Sequence, residues 1–123
     1  AGCATAPPPP PSPAPSGLAE LMERTAERAL VEGIRLYDEG QYPAAEAALK
    51  RALAAGLASP RDQATAHKLI AFVACTSARV AECEAAFRAA RAADPGFELA
   101  RAEAGHPMWG PVYKRIAGAA PPP

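Results

Sequence analysis

The sequence of 123 residues has no long apolar run, few aromatic residues and no excess of either charge. Its apolar runs fall far short of the roughly twenty residues that cross a bilayer. Thirteen basic and thirteen acidic residues cancel, which argues against binding to nucleic acid or to an anionic membrane surface. Aromatic residues make up only 6% of the chain, and this scarcity disfavours strands.

Residue combinations typical of enzymes are also missing. His67 falls at a core-facing position of a predicted helix, and His106 precedes a proline in a loop. Neither has a convincing partner for acid–base or nucleophilic chemistry, and no glycine-rich phosphate loop or paired carboxylates can be assembled. We therefore predict a protein without catalytic residues, cofactor, metal ion or small-molecule substrate.

Alanine and proline are abundant, and they divide the chain into three parts. Residues 1–16 and 118–123 are rich in proline, which cannot continue a helix and leaves little to bury. Residues 17–117 are rich in alanine, which suits close helix packing. The sequence predicts a Pro-rich tether, an all-α domain and a short Pro-rich tail.

Four main helices are predicted in two antiparallel pairs. The first begins at Gly17, and its buried face is expected to include Leu18, Leu21, Met22, Ala26, Ala29, Leu30, Gly33, Leu36 and Tyr37. The second has Pro43 in its first turn and stops at Gly56. The third is expected from about Gln63 to Thr76, with Asp62 as its cap, and the fourth from Val80 to Ala93. A short helix over residues 96–104 and a final turn over residues 112–116 should follow.

The two helix pairs share one spacing of small and apolar residues. The first pair carries Gly33, Gly40, Tyr42, Ala45, Leu49 and Ala52; in the second, Cys83, Phe87 and Ala90 fall at the offsets of Ala45, Leu49 and Ala52. This pattern resembles the tetratricopeptide repeat, whose unit is about 34 residues. It departs from the family at Ala29 and Glu32, where larger apolar residues are usual, and at Leu57, where proline often ends the repeat.

The resemblance implies a groove lined by particular positions of the first helix of each unit. Carried onto this chain, they are Glu27, Leu30, Ile34, Tyr37 and Asp38 in the first unit, and Thr65, Lys68, Phe72 and Cys75 in the second. This mixture of apolar and oppositely charged side chains suits a peptide or a partner helix. Alternatively, the start of the first helix or the C-terminal tail covers several of these residues.

Two further groups of side chains have alternative interpretations. Cys75 and Cys83 lie on either side of a predicted turn and either form a disulfide, as an oxidising compartment would favour, or pack as two buried thiols. Trp109 and Tyr113 lie in the most aromatic stretch of the chain. They either cover a thin, alanine-rich core or form an exposed interface.

The N-terminal Ala1-Gly2-Cys3 resembles the end of a bacterial lipobox, in which the cysteine is lipidated. The uncharged, Pro-rich residues that follow suit a spacer between a lipid and a domain, and Ala4 after the cysteine implies the periplasmic face of the outer membrane. The alternative is an incidental cysteine.

The two resemblances together imply a lipoprotein that serves as a protein–protein adaptor in the cell envelope. The stretch from Glu103 to Tyr113 is similar to that of short repeat-containing lipoproteins of type VI secretion clusters. Two alternatives remain: a pilotin-like chaperone of a secretin or pilus machine, and a soluble, cytoplasmic peptide-binding repeat protein in which Cys3 has no role.

Overall fold

A computed structural model describes residues 17–118, which form six helices. They are α1 (Gly17–Asp38), α2 (Tyr42–Ala55), α3 (Pro60–Thr76), α4 (Val80–Ala93), α5 (Arg101–Ala104) and α6 (Gly110–Gly118). Helices α1 and α2 pair as one hairpin and α3 and α4 as a second, with α2 against α3 and α6 against α4. The predicted all-α fold is confirmed. None of the helices in residues 17–118 is both long enough and apolar enough to span a membrane.

Close approach of α1 and α2 depends on a glycine at their crossing. A Cβ atom built on Gly33 would lie 2.7 Å from Cγ of Leu49 and 3.3 Å from its backbone nitrogen. The turn between the helices uses Gly40 at φ 78°, and the Gln41 amide donates to the carbonyl of Leu36 at 2.9 Å. Small residues of α2, including Ala45 and Ala52, are fully buried beside this contact. The alanine-rich sequence therefore packs two backbones closely instead of filling space with large side chains.

We expect Gly33→Ala to lower the free energy of unfolding by up to about 2 kcal/mol. Overpacking of a tight core costs about 1–3 kcal/mol, and the better helix propensity of alanine returns about 1 kcal/mol of that. Denaturant unfolding measures the difference. Gly118→Ala is the matched control, because no atom lies within 4 Å of a Cβ atom built there. An equal effect of the two substitutions would show that the α1–α2 crossing does not need a glycine.

The first turns of α1 differ from the prediction. Leu18, Leu21 and Met22 were expected on the buried face, but they are 71%, 61% and 48% exposed. The reason is length: α1 has 22 residues and its hairpin partner α2 has 14. The apolar spacing continues past the end of the helix that could cover it, so burial in α1 begins at Ala26.

The start of the second hairpin also differs from the prediction. Helix α3 begins at Pro60 instead of Gln63, and its cap is Ser59, whose hydroxyl accepts a hydrogen bond from the Asp62 amide at 3.3 Å. Proline suits this first helical position because its missing N–H would have no helical acceptor there. The predicted bounds of α4, Val80 to Ala93, are those of the structure.

The C-terminal part departs furthest from the predicted helices. Only Arg101–Ala104 of the expected 96–104 helix is helical, and residues 97–100 are irregular. The predicted final turn is instead a helix of nine residues, α6, with Gly110, Val112 and Ile116 buried. This helix is fixed to α4 by hydrogen bonds from Arg91 to the Ile116 carbonyl at 3.0 Å and from Arg115 to Glu84 at 3.2 Å.

Candidate functional site: the groove and its C-terminal cover

The few aromatic residues of the chain lie in one connected cluster. All three phenylalanines, all three tyrosines and the one tryptophan take part. Phe72 of α3 is at its centre, with Tyr37 of α1 on one side at 6.4 Å between ring centroids and Phe87 of α4 on the other at 6.1 Å. The cluster joins both hairpins to the C-terminal part of the chain. The few aromatic side chains are thus concentrated where the helices pack together.

Trp109 covers the groove of the second hairpin. Its ring stacks on Phe72, with centroids 3.9 Å apart and planes 14° apart, and His106 stacks on the opposite face at 3.4 Å. Trp109 is 8% exposed and Phe72 only 2%. Of the two sequence-based alternatives for Trp109, the structure has the tryptophan covering the core. Tyr113 is half-buried and lies edge-on to Phe87 at 5.2 Å.

This arrangement removes two predicted groove residues from the accessible surface. Phe72 is buried beneath Trp109, and Leu30 is 7% exposed within the core. In this conformation neither side chain is accessible to a partner, and their role in contacting one stays a prediction. A helical register gives the face on which a residue lies, whereas its accessibility depends on which distant segment packs against that face. Cys75, another predicted groove position, is also buried.

Glu103 connects the C-terminal residues to the groove. Its carboxylate accepts hydrogen bonds from Lys68 of α3 at 2.9 Å and from the Ala100 amide at 2.9 Å. Its backbone carbonyl accepts a hydrogen bond from the indole nitrogen of Trp109 at 2.8 Å. Lys68 also lies 5.8 Å from the Phe72 ring centroid. The sequence prediction missed Glu103, because it lies 35 residues from Lys68 and no local pattern links them.

The remaining predicted positions of the first hairpin form what we call the open groove face: Glu27, Ile34, Tyr37 and Asp38. Glu27 and Asp38 are exposed, while Ile34 and Tyr37 are half-buried. Burial raises the pKa of Tyr37, and the nearby Tyr42, Glu103 and Asp38 raise it further. Tyr37 is therefore a neutral hydrogen-bond donor at physiological pH. The face combines an apolar centre with acidic edges.

Opposite charges join the two hairpins on another surface. The guanidinium of Arg79, in the α3–α4 turn, donates to both carboxylate oxygens of Glu46 in α2, at 2.7 and 2.9 Å. Hydrogen bonding from Arg79, and then from Lys50, holds the pKa of Glu46 below its ordinary value although burial opposes this. A paired bidentate geometry of this kind orients two elements as well as attracting them.

We expect Glu46→Gln to lower the free energy of unfolding by about 1 kcal/mol at neutral pH. The folded-state pKa of Glu46 lies below its ordinary 4.5, so its contribution is complete above pH 4.5 and is lost as pH falls through the folded value. Urea unfolding across this range should show wild type and variant converging in acid. Glu32→Gln, which removes an exposed partner of Arg35, should change stability by less than about 0.5 kcal/mol. Parallel pH profiles for wild type and Glu46→Gln would contradict this assignment.

Cys75 of α3 and Cys83 of α4 have their sulfur atoms at disulfide distance, 1.96 Å apart. Cys75 is 3% exposed and Cys83 is fully buried. The turn between them places Ala78 at φ 61°, a left-handed conformation that few residues other than glycine adopt. The disulfide alternative of the sequence analysis therefore has the geometry that it requires, next to the groove residue Phe72.

The two described clefts border other parts of the surface, and one of them includes a histidine. Burial lowers the pKa of half-buried His67, which borders a cleft of about 340 Å³ together with Glu46, Lys50 and Ile70. Within residues 17–118, no cluster of three or more His, Cys, Asp or Glu side chains is placed to hold a metal ion. Another cleft, of about 640 Å³, lies between the start of α3 and the residues around Glu103.

Comparisons with protein-family models, with curated proteins and with solved structures gave no match to this chain. The geometry of the groove is therefore the basis for any functional assignment. Of the predicted site residues, the structure brings Lys68, Phe72, Trp109 and Tyr37 into one cluster and leaves Glu27 and Asp38 at the surface. Cys3, the Pro-rich tether and residues 119–123 lie outside the described residues.

Proposed function

We propose that the protein is a non-enzymatic adaptor that binds a protein partner through the open groove face. The observation that carries the proposal is the accessible combination of Ile34 and Tyr37 with Glu27 and Asp38 on one face of α1. Half-buried apolar side chains bordered by charges are typical of a surface that receives a peptide or a helix. The acidic edge favours a partner with basic residues beside an apolar anchor.

We infer that the two hairpins are tetratricopeptide-like repeats. The glycine at the α1–α2 crossing and the buried Ala45, Leu49 and Ala52 stand at the offsets that the family uses for helix packing. Repeat hairpins present a concave surface to partners and need a terminal element to cover the last apolar face. Helix α6, which packs on α4, serves as that element.

The proposed location is the periplasmic face of the bacterial outer membrane, with a lipid on Cys3. Support comes from the cysteine pair, because disulfides persist in oxidising compartments such as the periplasm. A neutral, alanine-rich helical module on a Pro-rich tether suits an accessory lipoprotein of an envelope machine such as a type VI secretion system. Mass spectrometry of membrane-extracted protein tests the lipid: acyl chains on Cys3 are expected, and an unmodified soluble product would contradict this location.

Charge reversal tests the adaptor role. Glu27→Arg and Asp38→Arg change exposed side chains of the open groove face, so the fold should persist, which circular dichroism checks. Affinity purification from envelopes, with quantitative mass spectrometry, should show one partner whose recovery falls by about five-fold or more in the double variant. Arg51→Glu, an exposed charge reversal on α2, is the control and should leave recovery unchanged. Equal recovery from all three proteins would overturn the role of this face.

A pilotin-like chaperone of a secretin is the second candidate, since such a role also needs a lipid anchor and a helical binding surface. Deletion of the gene separates the two. If the secretin or pilus machine no longer assembles in the outer membrane, the chaperone role is correct. If the machine assembles but a secretion function is lost, the adaptor role is correct.

A further inference from the structure

The groove of the second hairpin is already occupied by the chain itself. We call residues 97–109 the cover segment. It crosses α3 at Lys68 and Phe72, which lie one helical turn apart on the same face. Glu103 pairs with Lys68, and Trp109 stacks on Phe72. The cover segment therefore offers the groove one carboxylate and one aromatic ring, six residues apart in sequence.

Few side chains attach the cover segment. Its only regular element, α5, has four residues, none of them buried. The side chains of Lys68 and Glu103 are 22% and 26% exposed, and ion pairs with access to water contribute little to stability. Trp109 is the one residue of the segment that is buried. The attachment thus consists of one buried aromatic anchor, one ion pair and the partly buried Phe97 and Leu99, which pack against the core.

Helix α6 has contacts with α4 in addition to those with the cover segment. Its contacts with α4 include the Arg91–Ile116 and Arg115–Glu84 hydrogen bonds and the buried Val112. Departure of residues 97–109 would break the Tyr113–Phe97 hydrogen bond of 3.4 Å. It would also break the bonds at the start of α6, from the Gly110 amide to the His106 carbonyl and from the Tyr113 amide to the Trp109 carbonyl. The segment is a loop between Gly96 and Gly110, and its departure leaves the contacts within each hairpin in place.

We propose that the groove of the second hairpin binds a partner segment that carries an acidic residue and an aromatic residue, and that this partner displaces the cover segment. The proposal rests on the adaptor function and names the chemistry of a partner at this second surface. Lys68 supplies the charge complement for the partner's carboxylate, and Phe72 supplies the stacking surface for its ring. The cover segment competes for the groove within the same molecule. A partner must therefore bind tightly enough to displace a segment that is present at a high effective concentration.

The sole tryptophan of the chain makes the displacement measurable. The probe is a synthetic peptide with the sequence of residues 97–113 in which Trp109 is replaced by Phe, so that all tryptophan emission comes from the full-length protein. Titration should shift the emission of Trp109 saturably to longer wavelength as its ring leaves Phe72 and enters water. The same peptide with Glu103→Lys places a cation against Lys68 and should bind about five-fold more weakly or worse.

A variant of the protein strengthens the test. In the full-length protein, Glu103→Gln weakens the attachment of the cover segment to Lys68. The affinity for the peptide with Trp109→Phe alone should therefore rise by about two- to five-fold. Glu98→Gln is the matched control, because Glu98 is an exposed residue of the same segment and has no side-chain hydrogen bond or ion pair with any of residues 17–118. It should leave the affinity unchanged.

Three results would overturn the proposal. One is an emission that stays constant up to millimolar peptide in both the wild type and Glu103→Gln. Another is equal affinity of the protein for the peptide with Trp109→Phe alone and for the peptide that also carries Glu103→Lys. The third is the finding, by sedimentation, of dimers that exchange their C-terminal segments. The occupant of the groove would then be a second copy of this chain. If the peptide does not bind but partner recovery still falls in the Glu27→Arg and Asp38→Arg double variant, the cover-segment proposal is rejected and the adaptor function is retained.

Discussion

Replacing Trp109 with alanine is expected to lower the free energy of unfolding by about 3–5 kcal/mol, as for other large buried aromatic side chains. The indole lies between Phe72 and His106, and its nitrogen donates to the Glu103 carbonyl at 2.8 Å. Removal therefore loses apolar burial, two stacked contacts and one hydrogen bond. For a domain of this size the loss is a large part of the total stability. Chemical denaturation followed by far-ultraviolet circular dichroism measures it.

The control for Trp109→Ala is Met108→Ala. Met108 is the preceding residue and is 48% exposed, so its truncation should cost less than about 0.5 kcal/mol. Comparison of the two substitutions shows whether the loss of stability comes from the buried side chain of Trp109 or from any truncation in this segment. Equal and small effects at both positions would mean that Trp109 does not cover the core in solution.

Removal of the cysteine pair should have the second-largest effect. Cys75→Ala with Cys83→Ala is expected to lower the free energy of unfolding by about 2–3 kcal/mol, because the bond closes a short loop and restricts the unfolded chain. Thermal unfolding of the oxidised wild type and of the double variant measures this difference.

Dithiothreitol provides the control for the cysteine pair. The reductant should lower the stability of the wild type towards that of the double variant, and it should leave the double variant unchanged. Titration of unreduced, denatured protein should find no reactive thiol at these two positions. Two reactive thiols there, or a wild type insensitive to dithiothreitol, would contradict the disulfide.

The hairpins could be predicted from the sequence because their signals are local. Gly40 and Pro43 mark a turn and the start of α2, and Gly56, at φ 93°, ends that helix. The bounds of α4 were also correct. In the first turns of α1, which extend beyond the end of α2, the predicted burial of the apolar side chains is wrong. Periodicity shows which side chains share a face, but burial depends on the length of the partner helix.

The groove was predictable only in part, for a related reason. Lys68 and Phe72, which the motif register places in one groove, both contact the C-terminal part of the chain. The scarcity of aromatic residues favoured Trp109 as the cover of the core. The pairing of Lys68 with Glu103 and of Arg79 with Glu46 joins residues more than thirty positions apart. Such contacts depend on how separate elements pack, and a single sequence carries no local pattern for them.

Site-specific photo-crosslinking in intact envelopes is the most direct test of the adaptor function. A photoreactive amino acid replaces Glu27, Ile34 or Asp38 on the open groove face, or Arg51 on α2 as the control. We expect one crosslinked protein of the same mass at all three groove positions and none at Arg51, with loss of the product when Asp38→Arg accompanies the probe at position 27. Crosslinks of equal intensity at position 51, or none at the three groove positions, would contradict the adaptor function.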